Sequence, residues 1–247
     1  MTRVRPLLHK HPTHPMKPAR HFAILIPAVA LSMAAAYHLG GNRVHLFQRE
    51  NVLGTSFELK VTAGSAAIAS RAESAALAEI SREQEILSSW DANSEFSRWF
   101  RTHDRAVPVS PELFEALSLF DTWRARTGGA LDAAAEAITV TWKNAAREHR
   151  TPTEDEMARA VSAARQPNWK LDSATHTATH LSDTPLALNS FVKSYILDRA
   201  AKVAMATPGV TAVVINIGGD LLVRGRTAES VNVADPRSDS ENSESYR

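Results

Sequence analysis

Residues 211–217 read TAVVINI, a run that is β-branched and apolar almost throughout. A strand of that kind buries both faces, so it belongs inside a sheet, and the rest of the chain must supply its neighbours and its cover. The run stops at Gly218, Gly219 and Asp220 and resumes as LLVRG. Two readings of that stop stand side by side. Gly-Gly and Gly-Asp make tight hairpin turns, which would join the two apolar pieces as antiparallel neighbours. Glycines at a strand end also let a ligand come close, because no Cβ stands in the way. No G-x-G-x-x-G opens a helix here and no G-K-[ST] follows, which excludes the two common phosphate-cradling loops.

The remaining chain alternates helix and strand signals. HLFQRENVLGTSFELKV reads as extended chain broken at Gly54, with Phe57 and Leu59 on one face. Ser65 can cap a helix whose Ile68, Ala72, Ala76, Ile80 and Leu87 collect on one side, and SSWDANSE ends it in a polar turn. SPELFEAL starts another, with Ser110 as cap and Pro111 at the first helical position, and Gly128 with Gly129 stops it. Thr153 and Glu156 form a capping box ahead of EMARAVSAAR. WKLD and THTATHLSD are short strands around a turn, and residues 192, 196, 200, 203 and 204 make the apolar face of a helix ended by Pro208 and Gly209. There is no fixed-period repeat. The expected class is α+β, a mixed sheet with flanking helices.

Charge is placed unevenly. A net charge of +1 gives no reason to expect nucleic acid. Yet residues 1–49 hold seven Lys or Arg and no acid, while the remainder is mildly acidic. The basic stretch precedes FAILIPAVALSMAAA, 15 uncharged residues, in the order of an export signal. Ala34 and Ala36 suit a signal peptidase, whereas Pro27 and the shortness of the run disfavour a lasting span, which needs about 20 apolar residues. Residues 1–40 are therefore expected to be a basic leader with a signal peptide or, if uncleaved, a membrane anchor; a cytosolic tail is the remaining reading. Either leading case makes the body extracytoplasmic, periplasmic or anchored to the outer face of an inner membrane. The chain has no cysteine, so it has no disulfides, no thiol nucleophile and no thiolate zinc site. His9, His11, His14 and His21 lie in the Pro-rich leader, where no scaffold would orient them on a metal.

Five stretches taken in order carry a resemblance: VLGTSFEL (52–59), LSSWDANSEFSRW (87–99), TGGALDAAAEAITVTW (127–142), LALNSFVKSYILDRAAK (186–202) and VVINIGGDLLVRG (213–225). Together they resemble the FAD:protein FMN transferase family, also called ApbE, whose pieces look like M-G-T, an aromatic before S-E-x-S, G-A-F-D, K-G-Y-x-x-D and a strand ending G-G-[DE]. The resemblance covers about residues 50–235. It implies a T-fold-like ApbE architecture and a reaction that moves FMN from FAD to a Thr or Ser hydroxyl of an exported acceptor protein, with Mg2+ present and AMP released. A catalytically incomplete, exported flavin-binding protein is the alternative, and an envelope protein without flavin a third.

Carried over by motif, the expected flavin-binding residues are Leu53, Trp90, Ala130, Leu131, Asp132, Lys193, Gly218 and Gly219. The main-chain carbonyl of Ile196 stands where the family binds magnesium. Each also has a plainer reading. Trp90 is a core indole, Gly128–Asp132 a helix C-cap followed by an N-cap, Lys193 a solvated lysine on an amphipathic helix, and Gly218–Gly219 a hairpin turn. Ser194 replaces the glycine of K-G-Y, and Asn189 with Ser190 stand where glycine or serine is usual. His176 and His180, four apart on a strand, share a face and are read as strand surface. The family's later His-containing I-x-D-P, Asp and Thr segments find no counterpart after VNVADP, so the resemblance implies a C-terminally shortened member. The expected division is residues 41–235 as a partial transferase domain and 236–247 as a polar disordered tail.

Overall fold

The computed structural model describes residues 41–234 and 243–246, so the leader expected over residues 1–40 lies outside it. Strands β1 (Arg43–Val52), β2 (Thr55–Ala63), β6 (Val210–Ile217) and β7 (Asp220–Gly225) form one sheet in the order β1-β2-β6-β7. Tight hairpins join β1 to β2 and β6 to β7, and every pairing in the sheet is antiparallel. The all-apolar run over 211–217 is β6, an interior strand. Val213, Ile215 and Ile217 are buried on one face and Ala212 and Val214 on the other.

Two helices cover the first of those faces: α1 (Ala66–Leu87) and α6 (Val192–Met205). Their meeting surfaces are small. Ala69, Ala72 and Ala76 of α1 and Ala200, Ala201 and Ala204 of α6 are fully buried, which lets the two backbones approach closely above Phe57, Leu59 and Val61 of β2. Ser65 caps α1 as expected, its hydroxyl accepting from the N–H of Ile68.

Between them the chain builds α2 (Glu95–Phe100), β3 (Ala106–Pro108), α3 (Pro111–Arg126), a single 3₁₀ turn at Ala133–Ala135, α4 (Glu136–Arg147), α5 (Glu154–Arg165), β4 (Trp169–Asp172) and β5 (Thr177–His180). β3, β5 and β4 make a second antiparallel sheet in that order. The capping signals hold: Ser110 accepts from Leu113, and Thr153 and Glu156 close the capping box of α5. The N–H of Gly129 reaches back to the carbonyl of Arg124 at 2.8 Å, closing α3 with a Schellman turn. Asp132, read from the sequence as an N-cap, accepts from the N–H of Ala134 and starts the 3₁₀ turn that runs directly into α4. His180 is not strand surface: it is buried, its ring tilted against Trp99 and Phe100, with Nδ1 3.0 Å from the carbonyl of Thr102.

Part of the expected disordered tail is paired. β9 (Ser243–Tyr246) runs antiparallel to β8 (Val231–Ala234), in register from Val231 against Tyr246 to Ala234 against Ser243. Polar side chains decide which strand face can be buried, not whether the main chain can pair. Among the described residues no helix is long and apolar enough to cross a membrane.

Candidate functional site

Two tight turns meet at one end of the main sheet. Val52 pairs with Thr55 across Leu53 and Gly54, and Ile217 pairs with Asp220 across Gly218 and Gly219. All four turn residues have positive φ, at 51°, 75°, 55° and 93°, the pattern of type I′ hairpins that suit the strand twist. Because β2 and β6 are antiparallel neighbours, the turns lie side by side: a Cβ on Gly218 would stand 2.7 Å from the Thr55 side chain. Gly218 is thus a glycine because another part of the protein is close, while the space beside Gly219 is open. The strand that stops at Gly-Gly-Asp does so in a hairpin.

A leucine in the left-handed region is uncommon and costs about 1 kcal/mol or more. Leu53 carries that strain at the wall of a cleft of about 460 Å3 that also receives Trp90, Lys193 and Ile196. Three stretches that lie far apart in the sequence therefore converge. Leu53→Asn, which fits the first position of a type I′ turn, is expected to raise stability by about 1 kcal/mol in a denaturant titration while weakening binding in the cleft.

Trp90 is not core. It is 76% exposed, held at the rim by the Ser88 hydroxyl, which accepts from the N–H groups of Trp90 and Asp91. Lys193 reaches the cleft from the first turn of α6 and pairs with Asp220 at 2.8 Å, which ties the helix to the Gly218–Gly219 turn. No side chain caps the N-terminus of α6. The Val192 N–H donates to the Leu188 carbonyl at 3.2 Å, and the positive end of the helix dipole makes that end of the cleft electropositive.

The Ala130–Asp132 stretch lies elsewhere. Asp132 is buried, its Oδ1 accepting from the N–H of Ala134 and its Oδ2 2.9 Å from Arg124 Nε, so its carboxylate is committed to an N-cap and an ion pair. Leu131 faces a separate cavity beside Phe191 and Tyr195. The link to the cleft is indirect: the carbonyl of Ala133 accepts from Ala187, the Ser89 hydroxyl accepts from Leu188, and Asn189 then lines the cleft. The sequence missed Gln84 and Ser89 on the cleft wall and Lys143 of α4, whose Nζ sits 5.6 Å from the Trp90 ring centroid. Nothing local marks a lysine 53 positions from a tryptophan as its neighbour.

One turn along both helices from the cleft, α1, α3 and α6 are joined by charge. Arg82 contacts Glu79, Glu83 and Glu112, and Arg199 contacts the same three carboxylates, with Glu83 at 2.7 and 2.5 Å respectively. Glu83 has no exposed side-chain surface, and one of its oxygens has no partner. Three carboxylates share two guanidiniums, so burial pushes the Glu83 carboxyl up to about 7 against the pull of the arginines.

Among the described residues no group of three or more His, Asp and Glu could hold a metal. The Ile196 carbonyl lies inside α6, where it is the ordinary acceptor of a helical hydrogen bond.

The ApbE family model matches residues 53–246. Solved structures with the same fold include the apo form of the flavinyl transferase ApbE of Pseudomonas stutzeri, with 17% identity and a TM-score of 0.65 over 79% of this chain and 63% of that one. The flavin transferase ApbE of Vibrio cholerae gives 16% and 0.69 over 83% and 68%, and the ApbE protein of Thermotoga maritima 22% and 0.68 over 80% and 65%. The chain thus spans about two thirds of the length of these structures. A search of curated proteins found no match.

Proposed function

Because this chain belongs to the ApbE family, we propose that it is a flavin transferase that moves FMN from FAD to a Thr or Ser hydroxyl of an exported acceptor protein. The hydroxyl oxygen would attack the FMN phosphorus, the bond to the AMP oxygen would break, AMP would leave, and the hydroxyl proton would pass to a base. The observation that carries this reading is the convergence of Leu53, Trp90 and the α6 residues Lys193 and Ile196 on one cleft from three distant parts of the chain. Three of them supply something FAD needs. The exposed Trp90 indole offers a face for a flat ring. Leu53 offers an apolar wall, and Lys193 with the uncapped start of α6 offers positive charge to a pyrophosphate.

Magnesium belongs to the chemistry the family implies, but the described residues do not form a cage for it, and a single main-chain carbonyl is a weak ligand for a hard cation. The roles above need only this chain's own side chains and helix end. The extracytoplasmic site, by a cleaved signal or an uncleaved anchor, rests on the basic and apolar order of residues 1–40.

The cleft wall favours a second reading. Among its described residues there is no Asp, Glu or His to deprotonate a hydroxyl, and the neighbouring Asp220 is engaged by Lys193. An exported protein that holds flavin without transferring it fits that wall. Incubating the protein with FAD, magnesium and a Thr- or Ser-bearing acceptor separates the two. Covalent fluorescent labelling of the acceptor is expected for a transferase, retained flavin without labelling for a binder, and no flavin association at all would exclude both.

A further inference from the structure

We propose that Lys143 is a specificity residue of the cleft: its ammonium covers the Trp90 ring and transfers to the phosphates of an entering dinucleotide. This rests on the flavin reading above. An exposed indole in water presents a large apolar face, and here Lys143 lies over it at 5.6 Å. A cation there is attracted by the ring quadrupole, but only weakly where both partners are wet. Lys143 is itself more than half exposed, and the one carboxylate paired with it among the described residues, Glu136, stands at 3.5 Å, the outer limit of a hydrogen bond. It is therefore a mobile, lightly held charge.

Charge balance gives that mobility a direction. The pyrophosphate of a dinucleotide brings two negative charges, and the cation already at the cleft, Lys193, is shared with Asp220 at 2.8 Å and offsets only part of them. One further cation within reach of the ring-binding face offsets one of those two charges. A ring stacking on the Trp90 face that Lys143 covers must displace the ammonium. A four-carbon stem anchored on α4 can then swing the charge to a phosphate beside the stacked ring. Lys143 thus opposes a flat ring that carries no phosphate and favours one that does, which makes it a selector for nucleotide over bare ring.

The test titrates the purified chain with FAD and with riboflavin at low and high salt, for the wild type, Lys143→Met and Lys143→Arg. Lys143→Met is expected to weaken FAD binding by about tenfold, to flatten its salt dependence and to leave riboflavin binding equal or tighter, while Lys143→Arg restores FAD binding. Equal FAD affinity in wild type and Lys143→Met overturns the proposal alone. So does a parallel loss of riboflavin, which would make Lys143 a mere prop for Trp90. A wild type that binds neither flavin overturns the flavin reading together with this one.

Discussion

Replacing Arg199 by alanine is expected to cost about 3–5 kcal/mol of stability, because it strips one of two guanidiniums from a carboxylate with no exposed surface. Arg199 also ties α6 to Glu79 of α1 and Glu112 of α3, and donates to the Tyr195 hydroxyl at 3.2 Å. A chemical denaturation midpoint reads the loss. Adding Glu83→Leu to Arg199→Ala should recover much of it, since the stranded charge is then gone. A midpoint unchanged in the single variant would show that the network adds nothing to the joint.

The same cluster sets a pH dependence. A carboxyl whose folded value lies near 7, above its ordinary value, favours the protonated form in the folded state. Its contribution is fully present below about 4.5 and is lost as pH rises through 7, a span of about 3 kcal/mol. Buried His180 acts the other way, since burial lowers its value: its contribution is present above about 6.5 and is lost as pH falls. The difference between wild type and Glu83→Gln, measured from pH 5 to pH 8, cancels His180 and isolates Glu83. The wild type is expected to lose stability relative to the variant as pH rises.

Lys193→Ala is expected to reduce covalent labelling of an acceptor by about 10²-fold, the usual effect of removing one preorganised charge from a phosphoryl site. The fold should survive, because the lysine is partly exposed and its partner Asp220 stays hydrated at the turn. A melting curve close to the wild type's beside a collapsed labelling rate gives the lysine a role in the cleft. A labelling rate unchanged in Lys193→Ala would return it to the plain solvated lysine of an amphipathic helix. The loss should exceed that of Lys143→Met, because Lys193 is fixed by its ion pair and the α6 terminus whereas Lys143 must travel.

What was legible in the sequence is what is settled within a few residues. Ser65, Ser110 and the Thr153–Glu156 box start helices because the orphan N–H groups they satisfy are two or three positions away. TAVVINI became an interior strand because its residues are apolar on both faces. The resemblance to ApbE pieces likewise rests on short motifs, and it pointed to Leu53, Trp90 and Lys193, which share one cleft. The same motif reading put Ala130–Asp132 with them, whereas Asp132 caps a turn and pairs with Arg124.

Tertiary packing decided the rest, because contacts between residues tens to hundreds of positions apart leave no periodic trace in the chain. The alanine faces of α1 and α6 bring Gln84 and Lys193 to one wall, and the pairing of β2 with β6 sets the Leu53 turn beside the Gly218 turn. Only that packing lays Lys143 over Trp90 and closes Glu83 off from water, and both follow from the close fit of layers that a linear pattern cannot specify.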